Sequence, residues 1–360
     1  MNTMTDISEP SEELKTSSFP PAPSGEVELE ERLSRPLPAT VDMFRRLPGD
    51  VLILGASGKM GPSLARMARR AMDAAGSKGR ILAAARFSDP EAERYLHEHG
   101  IETLRVDLLE RAAVNALPDV ENIVFMAGQK FGTAGRPEQA WAMNTVVPAY
   151  VAERYAGARQ VVFSTGCVYA NQPATSPGSV ETDPLEPVGD YANSCVGRER
   201  VFTHFSQRLN SPVAVYRLNY AVDLRYGVLV DIAQKVLAGQ PVDATMGYAN
   251  VIWQGDANDR ALRCLEHAAV PPFVVNVTGP ETLSVRDLAH RFGALFGKEP
   301  VVTGTEAPDA LLSDARRSVD LFGPLSVSTD TLIHWVAEWL VNGRRILNKP
   351  TQFERFDGRY

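Results

Sequence analysis

Short apolar runs alternate with longer amphipathic stretches through the middle of the chain. Residues 50–54, 81–85, 101–106, 123–126, 161–163 and 213–218 are brief and mostly apolar, and they read as strands. Between them, 138–156 and 191–209 carry helical periodicity, and Asp89-Pro90 opens another helix with a capping residue and a first-turn proline. Strands that are apolar throughout, separated by helices, predict an α/β fold with a doubly wound parallel sheet covered on both faces. Beyond residue 222 the order loosens. Helices are expected over 227–238, 256–268 and 328–342, and Ser284 with Asp287 opens one that stops at Gly297. A strand is expected over 273–277. This part reads as a smaller α/β lobe closing over the carboxyl edge of the sheet.

At the N-terminus, residues 1–25 are rich in Ser, Thr, Pro and Glu and are expected to stay mobile. Leu29, Leu33, Leu37, Val41, Phe44 and Leu47 recur at roughly helical spacing, interrupted by Pro36 and Pro38, so one or two short helices are expected to pack on the body. The division that follows is a leader (1–25), a helical extension (26–48), a nucleotide-binding domain (49–222), a mainly substrate-binding lobe (223–345) and a tail (346–360).

Charge narrows the function classes. The 360 residues carry 37 Lys and Arg against 44 Asp and Glu, a net charge of −7. Eight acids and three bases fall within residues 1–35, so the remainder is close to neutral. A nucleic-acid binder needs a basic face, which this balance does not suggest. No apolar run approaches the roughly 20 residues of a membrane span, and no signal-peptide pattern opens the chain. A cytoplasmic location is expected, with no membrane partner. Cys167, Cys195 and Cys264 lack metal-like spacing, as do the six histidines, so neither a disulfide framework nor a metal site is expected.

The first chemistry lies between the strand at 50–54 and the helix after it. Gly55-Ala56-Ser57-Gly58-Lys59-Met60-Gly61 places three glycines where a tight turn lets backbone approach a diphosphate at a helix N-terminus. The end of the second strand, which usually reads the adenosine ribose, carries Arg86 where NAD binding would favour an acid. Arg86, helped by Lys59, would pair with a 2′-phosphate, which favours NADP while leaving NAD open.

Together these segments resemble the extended short-chain dehydrogenase/reductase family, of the NAD-dependent epimerase/dehydratase type. The resemblance covers roughly residues 50–340. It rests on Gly55, Gly58 and Gly61; Asp107-Leu108 after the third strand; Ala127-Gly128 after the fourth; Asn144; Ser164-Thr165-Gly166-Cys167-Val168-Tyr169; and the stretch from Asn276 to Ser284. It implies a Rossmann-type fold. It also implies that Ser57, Met60, Asp107, Leu108, Ala127, Gly128, Tyr191 and Asn219 join the glycines, Lys59 and Arg86 around an NAD(P) cofactor.

The resemblance further implies a Tyr and a Lys one helical turn apart for proton chemistry. Here the stretch is Tyr191-Ala192-Asn193-Ser194-Cys195, so the lysine position holds a cysteine. A free phenol, with pKa about 10, is ionised in about one molecule in 10³ at pH 7, so forming the phenolate costs roughly 4 kcal/mol without a nearby cation. Arg198, on the same helix face, and Lys130, after the fourth strand, are the candidate substitutes. Thr165, Tyr191 and Cys195 are the expected catalytic positions. Lys130, Thr165, Tyr220, Trp253 and Gln254 are the expected substrate contacts. The implied activity is hydride transfer at a carbinol or ketone carbon of a sugar, sugar acid, glycoside or nucleotide-sugar, by oxidoreduction or epimerisation. A dinucleotide-binding protein without redox turnover, and a lyase or hydrolase using a tightly held cofactor, remain alternatives. The resemblance also implies a homodimer packed through the helices at 138–156 and 191–209.

Overall fold

In the computed structural model of the protein, the described residues are 19–130, 136–349 and 351–355. A parallel sheet occupies the centre: β1 (Val51–Leu54), β2 (Ile81–Ala85), β3 (Glu102–Arg105), β4 (Asn122–Phe125), β5 (Arg159–Thr165), β6 (Val213–Leu218) and β7 (Phe273–Val277), in spatial order β7-β6-β5-β4-β1-β2-β3. The order reverses between β1 and β4, which opens a crevice at their carboxyl ends. Every residue of β1, β2 and β4 is buried, as their apolar composition (broken only by Asn122 at the start of β4) predicts, whereas the edge strand β3 is exposed at both ends and half-buried between them. This is the Rossmann-type arrangement expected from the sequence.

The crossover helices are α3 (Gly61–Ala75), α4 (Pro90–Glu98), α5 (Arg111–Asn115), α6 (Pro137–Trp141) with α7 (Val147–Arg154), and α8 (Gly189–Leu209). Asp89 caps α4 by accepting a hydrogen bond from the Glu91 N–H at 2.9 Å. The helix expected over 138–156 is interrupted by a π-turn at Ala142–Val146, which no hydrophobic period announces. Asn144, at its centre, is fully buried and bonds Ser194 of α8 at 2.9 Å and the carbonyl of Gln129 at 3.2 Å. The π-turn therefore ties the loop after β4 to the helix that carries Tyr191.

The second lobe packs α9 (Val228–Leu237), α11 (Val285–Phe296) and α13 (Thr329–Val341) around Val236, Phe292, Val336 and Trp339. Between these come α10 (Gln254–Arg263) and α12 (Arg316–Phe322), the latter not foreseen from the sequence. Two N-terminal helices precede β1, α1 (Glu26–Leu33) and α2 (Pro38–Arg46). They rivet the lobes together: Leu29 and Leu33 join the second-lobe core, while Met43, Phe44 and Leu47 join the core beneath the sheet. Glu31 pairs with Arg66 and Arg70 of α3, and Glu30 pairs with Arg225 of the second lobe at 2.8 Å.

Of the leader expected to be mobile, residues 1–18 lie outside the described residues. The stretch from 19 to 25 is docked: Trp335 donates to the Pro20 carbonyl at 2.7 Å, and Phe19 stacks near His334. Among the described residues no helix is long and apolar enough to cross a membrane, no group of His, Cys, Asp or Glu is arranged to hold a metal, and no disulfide forms.

Candidate active site

A cavity of about 410 Å³ opens at the carboxyl ends of the central strands. Gly55, Gly58, Lys59 and Met60 form one side; Thr165, Tyr191 and Arg198 form another; Asn219 and Tyr220, just after β6, and Tyr226 and Gly227 of the second lobe close it. The sheet makes this meeting unavoidable. Strands β1, β4, β5 and β6 run parallel and adjacent, so the loops leaving them converge at one edge.

The glycine loop has the geometry its spacing predicts. Gly55 has φ +90°, and a Cβ there would stand 2.6 Å from the Ala127 nitrogen. At Gly61 a Cβ would stand 2.1 Å from the Ala56 carbonyl oxygen, so side chains at these positions would break the strand–helix contact. Gly58 borders the open cavity and leaves room for a diphosphate against the N-terminal turn of α3. Arg86 is exposed at the end of β2, beside the glycine loop, because Gly55 donates to the carbonyl of Ala84 in the same strand at 2.8 Å. Asp107 is half-buried after β3, and its carboxylate accepts from the Leu109 N–H at 3.0 Å; Leu108 and Ala127 are buried at the same edge. The residues present fit a dinucleotide.

Thr165 ends β5, and its hydroxyl oxygen accepts from the Cys167 N–H at 3.1 Å. Tyr191, in the first turn of α8, shares a hydrogen bond with the Thr165 hydroxyl. Burial raises the Tyr191 phenol well above its ordinary value, reinforced by Cys195 and Cys167 and opposed by Arg198 and Thr165. Lys130 places its ammonium 5.7 Å from the centre of the Tyr191 ring.

Cys195 is fully buried among Val168, Tyr169, Leu185, Tyr191 and Val196 and does not reach the cavity wall. Burial pushes its thiol up to about 11, so at neutral pH it is a neutral hydrogen-bond partner of Tyr191. Arg198, one further turn along α8, does line the cavity. It is 5% exposed; Nη1 donates to the Phe163 carbonyl oxygen at 2.7 Å, and Nη2 donates to Asn144. A buried guanidinium thus lies where the helix presents the phenol.

The second lobe answers the remaining expectations unevenly. Asn219 and Tyr220 line the cavity, with Tyr220 at φ +41°. Trp253 and Gln254 do not. Trp253 is 2% exposed and packs edge-to-face with Trp335 at 5.8 Å, while Gln254 is fully buried and donates to Ser63 of α3 at 3.0 Å. Both are placed at the seam between lobes. Cys167, Tyr226 and Lys349 line the cavity without having been singled out in the sequence. Lys59 turns toward the second lobe: Nζ donates to the Ala221 carbonyl at 3.1 Å and sits 3.9 Å from the Tyr226 ring centre. Burial pulls its pKa down to about 8.

Residues 51–222 match the NAD dependent epimerase/dehydratase family. Solved structures of the same fold include Pal from Bacillus thuringiensis, with 15% identity over 82% of this chain and 100% of that one and a TM-score of 0.68. UDP-glucose 4-epimerase from Thermus thermophilus, complexed with NAD, has 19% identity over 80% and 98% of the two chains, with a TM-score of 0.64. dTDP-glucose 4,6-dehydratase from Bacillus anthracis, also complexed with NAD, has 15% identity over 81% and 96%, with a TM-score of 0.68. No curated protein sequence matches the chain significantly.

Proposed function

We propose that this chain, whose residues 51–222 are a domain of the NAD dependent epimerase/dehydratase family, is an NAD(P)-dependent oxidoreductase or epimerase of a sugar-like alcohol or ketone. One observation carries the reading: the glycine loop and the Thr165–Tyr191 hydroxyl pair border the same cavity. The structural relatives that bind NAD and are named for nucleotide-sugar substrates support it.

Gly55, Gly58 and the first turn of α3 hold the diphosphate, Asp107, Leu108 and Ala127 border the adenosine end, and Arg86 favours a 2′-phosphate there. When bound, the dinucleotide supplies a nicotinamide that accepts or returns hydride. Tyr191 exchanges the proton of the substrate oxygen, and the Thr165 hydroxyl orients that oxygen. Arg198 replaces the missing ammonium as a fixed positive charge, since a guanidinium does not give up its proton.

Calorimetric titration of the purified protein with NAD and NADP tests the cofactor assignment. Binding of at least one is expected, and failure of both overturns the reading. Arg86→Asp is expected to swing preference toward NAD by about tenfold; an unchanged ratio removes the role given to Arg86. Tyr191→Phe is expected to abolish turnover while leaving dinucleotide affinity within about twofold. Dinucleotide bound with no redox or epimerase turnover on a panel of sugars, sugar acids and nucleotide-sugars would favour a binding protein instead.

A further inference from the structure

The loop that follows β6 meets the glycine loop across the cavity. Tyr226 lines the cavity with Gly55 and Gly58, and its ring centre lies 3.9 Å from the Lys59 ammonium. Lys59 also donates to the Ala221 carbonyl at 3.1 Å, so one side chain of the glycine loop holds the opposing loop at two points. The tip of the glycine loop has little else around it. A second cavity of about 490 Å³ also borders Ser57, Gly58 and Lys59, which therefore stand between two open spaces. The spacing between the loops is thus set where Lys59 meets Tyr226, and by whatever keeps Tyr226 in place.

Tyr226 is held through its neighbours. The Asp223 N–H donates to the Tyr226 carbonyl at 3.0 Å, and the Arg225 N–H donates to Asp223 Oδ1 at 2.7 Å, which closes residues 223–226 into a tight turn. At Gly227, with φ +132°, a Cβ would stand 2.5 Å from Val222 Cγ1, so the turn has no slack. The Arg225 side chain is 10% exposed, and Nη2 donates to Asp223 at 2.9 Å, a contact internal to the turn. Its other carboxylates come from α1: Nη1 meets Glu30 at 2.8 Å, with Glu26 farther off at 3.6 Å. Glu30 in turn accepts from the Tyr95 hydroxyl of α4 at 3.2 Å, and Glu31 beside it pairs with Arg66 and Arg70 of α3 at 3.0 and 2.6 Å. Helix α1 is thereby fastened to the first lobe, and Glu30 ties the turn that carries Tyr226 to it. A pair this far from solvent is screened little by salt, and removing the carboxylate leaves Arg225 joined to its own turn alone through Asp223.

We propose that Glu30 is a positioning residue of the dinucleotide site: through Arg225 it fixes Tyr226 against the glycine loop, and this fixed cover slows release of the dinucleotide. The inference rests on the reading of the cleft as a dinucleotide site. It gives the N-terminal extension, which lies outside the family domain at residues 51–222, a part in holding the cofactor. Glu30 does not line the cavity and takes no part in proton transfer.

The test uses the full chain loaded with NADH or NADPH and chased with a large excess of the oxidised form, with release followed by nicotinamide fluorescence in stopped flow. Glu30→Ala is expected to speed release about tenfold while changing the association rate by less than about threefold. Glu30→Gln, which still accepts a hydrogen bond from Arg225, is expected to recover part of the retention. Tyr226→Ala is expected to speed release at least as much, and Tyr226→Phe, which keeps a ring over Lys59, to retain the slow rate. Combining Glu30→Ala with Tyr226→Ala is expected to give release no faster than Tyr226→Ala alone, because one residue acts through the other. Arg46→Gln breaks the pair between α2 and Glu266, which holds the extension elsewhere, and is expected to leave release unchanged. Normal release from Glu30→Ala or from Tyr226→Ala overturns the proposal. So do additive effects in the double variant, or an equal acceleration in Arg46→Gln. Failure of the unmodified protein to bind either dinucleotide overturns the functional reading instead, and it is seen in the calorimetric titration.

Discussion

Arg198 donates through Nη1 to the carbonyl oxygen of Phe163 at 2.7 Å, which clamps α8 to the carboxyl end of β5 two residues before Thr165. The same guanidinium reaches Asn144 in the π-turn, so one side chain joins three segments around the cavity. Its charge also opposes the rise in the Tyr191 phenol caused by burial. Removing that charge leaves the phenol harder to ionise.

Arg198→Leu is therefore expected to lower turnover by about tenfold or more and to move the ascending limb of the pH–rate profile, where the phenol must ionise, to higher pH. Arg198→Lys keeps a charge while losing one of the two anchoring bonds, and it should recover part of the rate. Steady-state rates from pH 6 to 10 check this. An unshifted profile in Arg198→Leu would remove Arg198 from the proton chemistry.

Lys59 has its pKa lowered from 10.5 to about 8 by burial. The sign follows from proton counting. Below pH 8 the folded protein holds the charged ammonium at a desolvation cost. Between about pH 8 and 10.5 the unfolded chain keeps a proton that the folded protein has released, and the cost is relieved. Lys59→Met is expected to raise the melting temperature near pH 7 by about 2 °C, with the gain shrinking above pH 8, and to weaken dinucleotide binding. Thermal scans across pH 6–10 measure it; a gain that grows with pH would contradict the burial argument.

The cysteines should differ sharply in reactivity. Cys195 and Cys264 are fully buried with raised thiols, whereas Cys167 lines the cavity. Iodoacetamide on the native protein should modify Cys167 first, and bound dinucleotide should slow it. Peptide mass mapping after timed quenching reads the order. Early labelling of Cys195 would mean that it reaches the cleft after all.

Beneath the site, Arg217 and Glu199 form a buried pair at 2.7 Å, each 5% exposed, with Ser164 also donating to Glu199 at 2.5 Å. Glu199→Ala strands a guanidinium in the interior and should cost about 3–5 kcal/mol of stability. Urea unfolding with an unchanged m-value gives the figure. A loss below about 1 kcal/mol would show that Tyr169 and the Glu181 carbonyl, which also accept from Arg217, suffice.

The features legible in the sequence were those that a short stretch of chain decides. Apolar runs fixed by burial on both faces marked the strands, and the glycine spacing between β1 and α3 marked the turn. Thr165, Tyr191, Asn219 and Tyr220 follow because they sit at strand ends or first helical turns, and parallel strands bring such positions to one edge. The π-turn at Ala142–Val146 was not legible, since its register depends on Asn144 finding partners in other segments. Trp253 and Gln254 went to the lobe seam because α10 packs against α3, where Gln254 meets Ser63.

The charge pattern divides in the same way. Sequence alone showed an acidic leader, a nearly neutral body and a cysteine at the position one turn after Tyr191. Only the tertiary structure gathered Lys59, Lys130, Arg198 and Lys349, nearly 300 residues apart at the extremes, around one cavity that no carboxylate lines among the described residues. Strand and helix preferences act over a few residues, whereas an electrostatic site is set by distances that the chain's closure brings about.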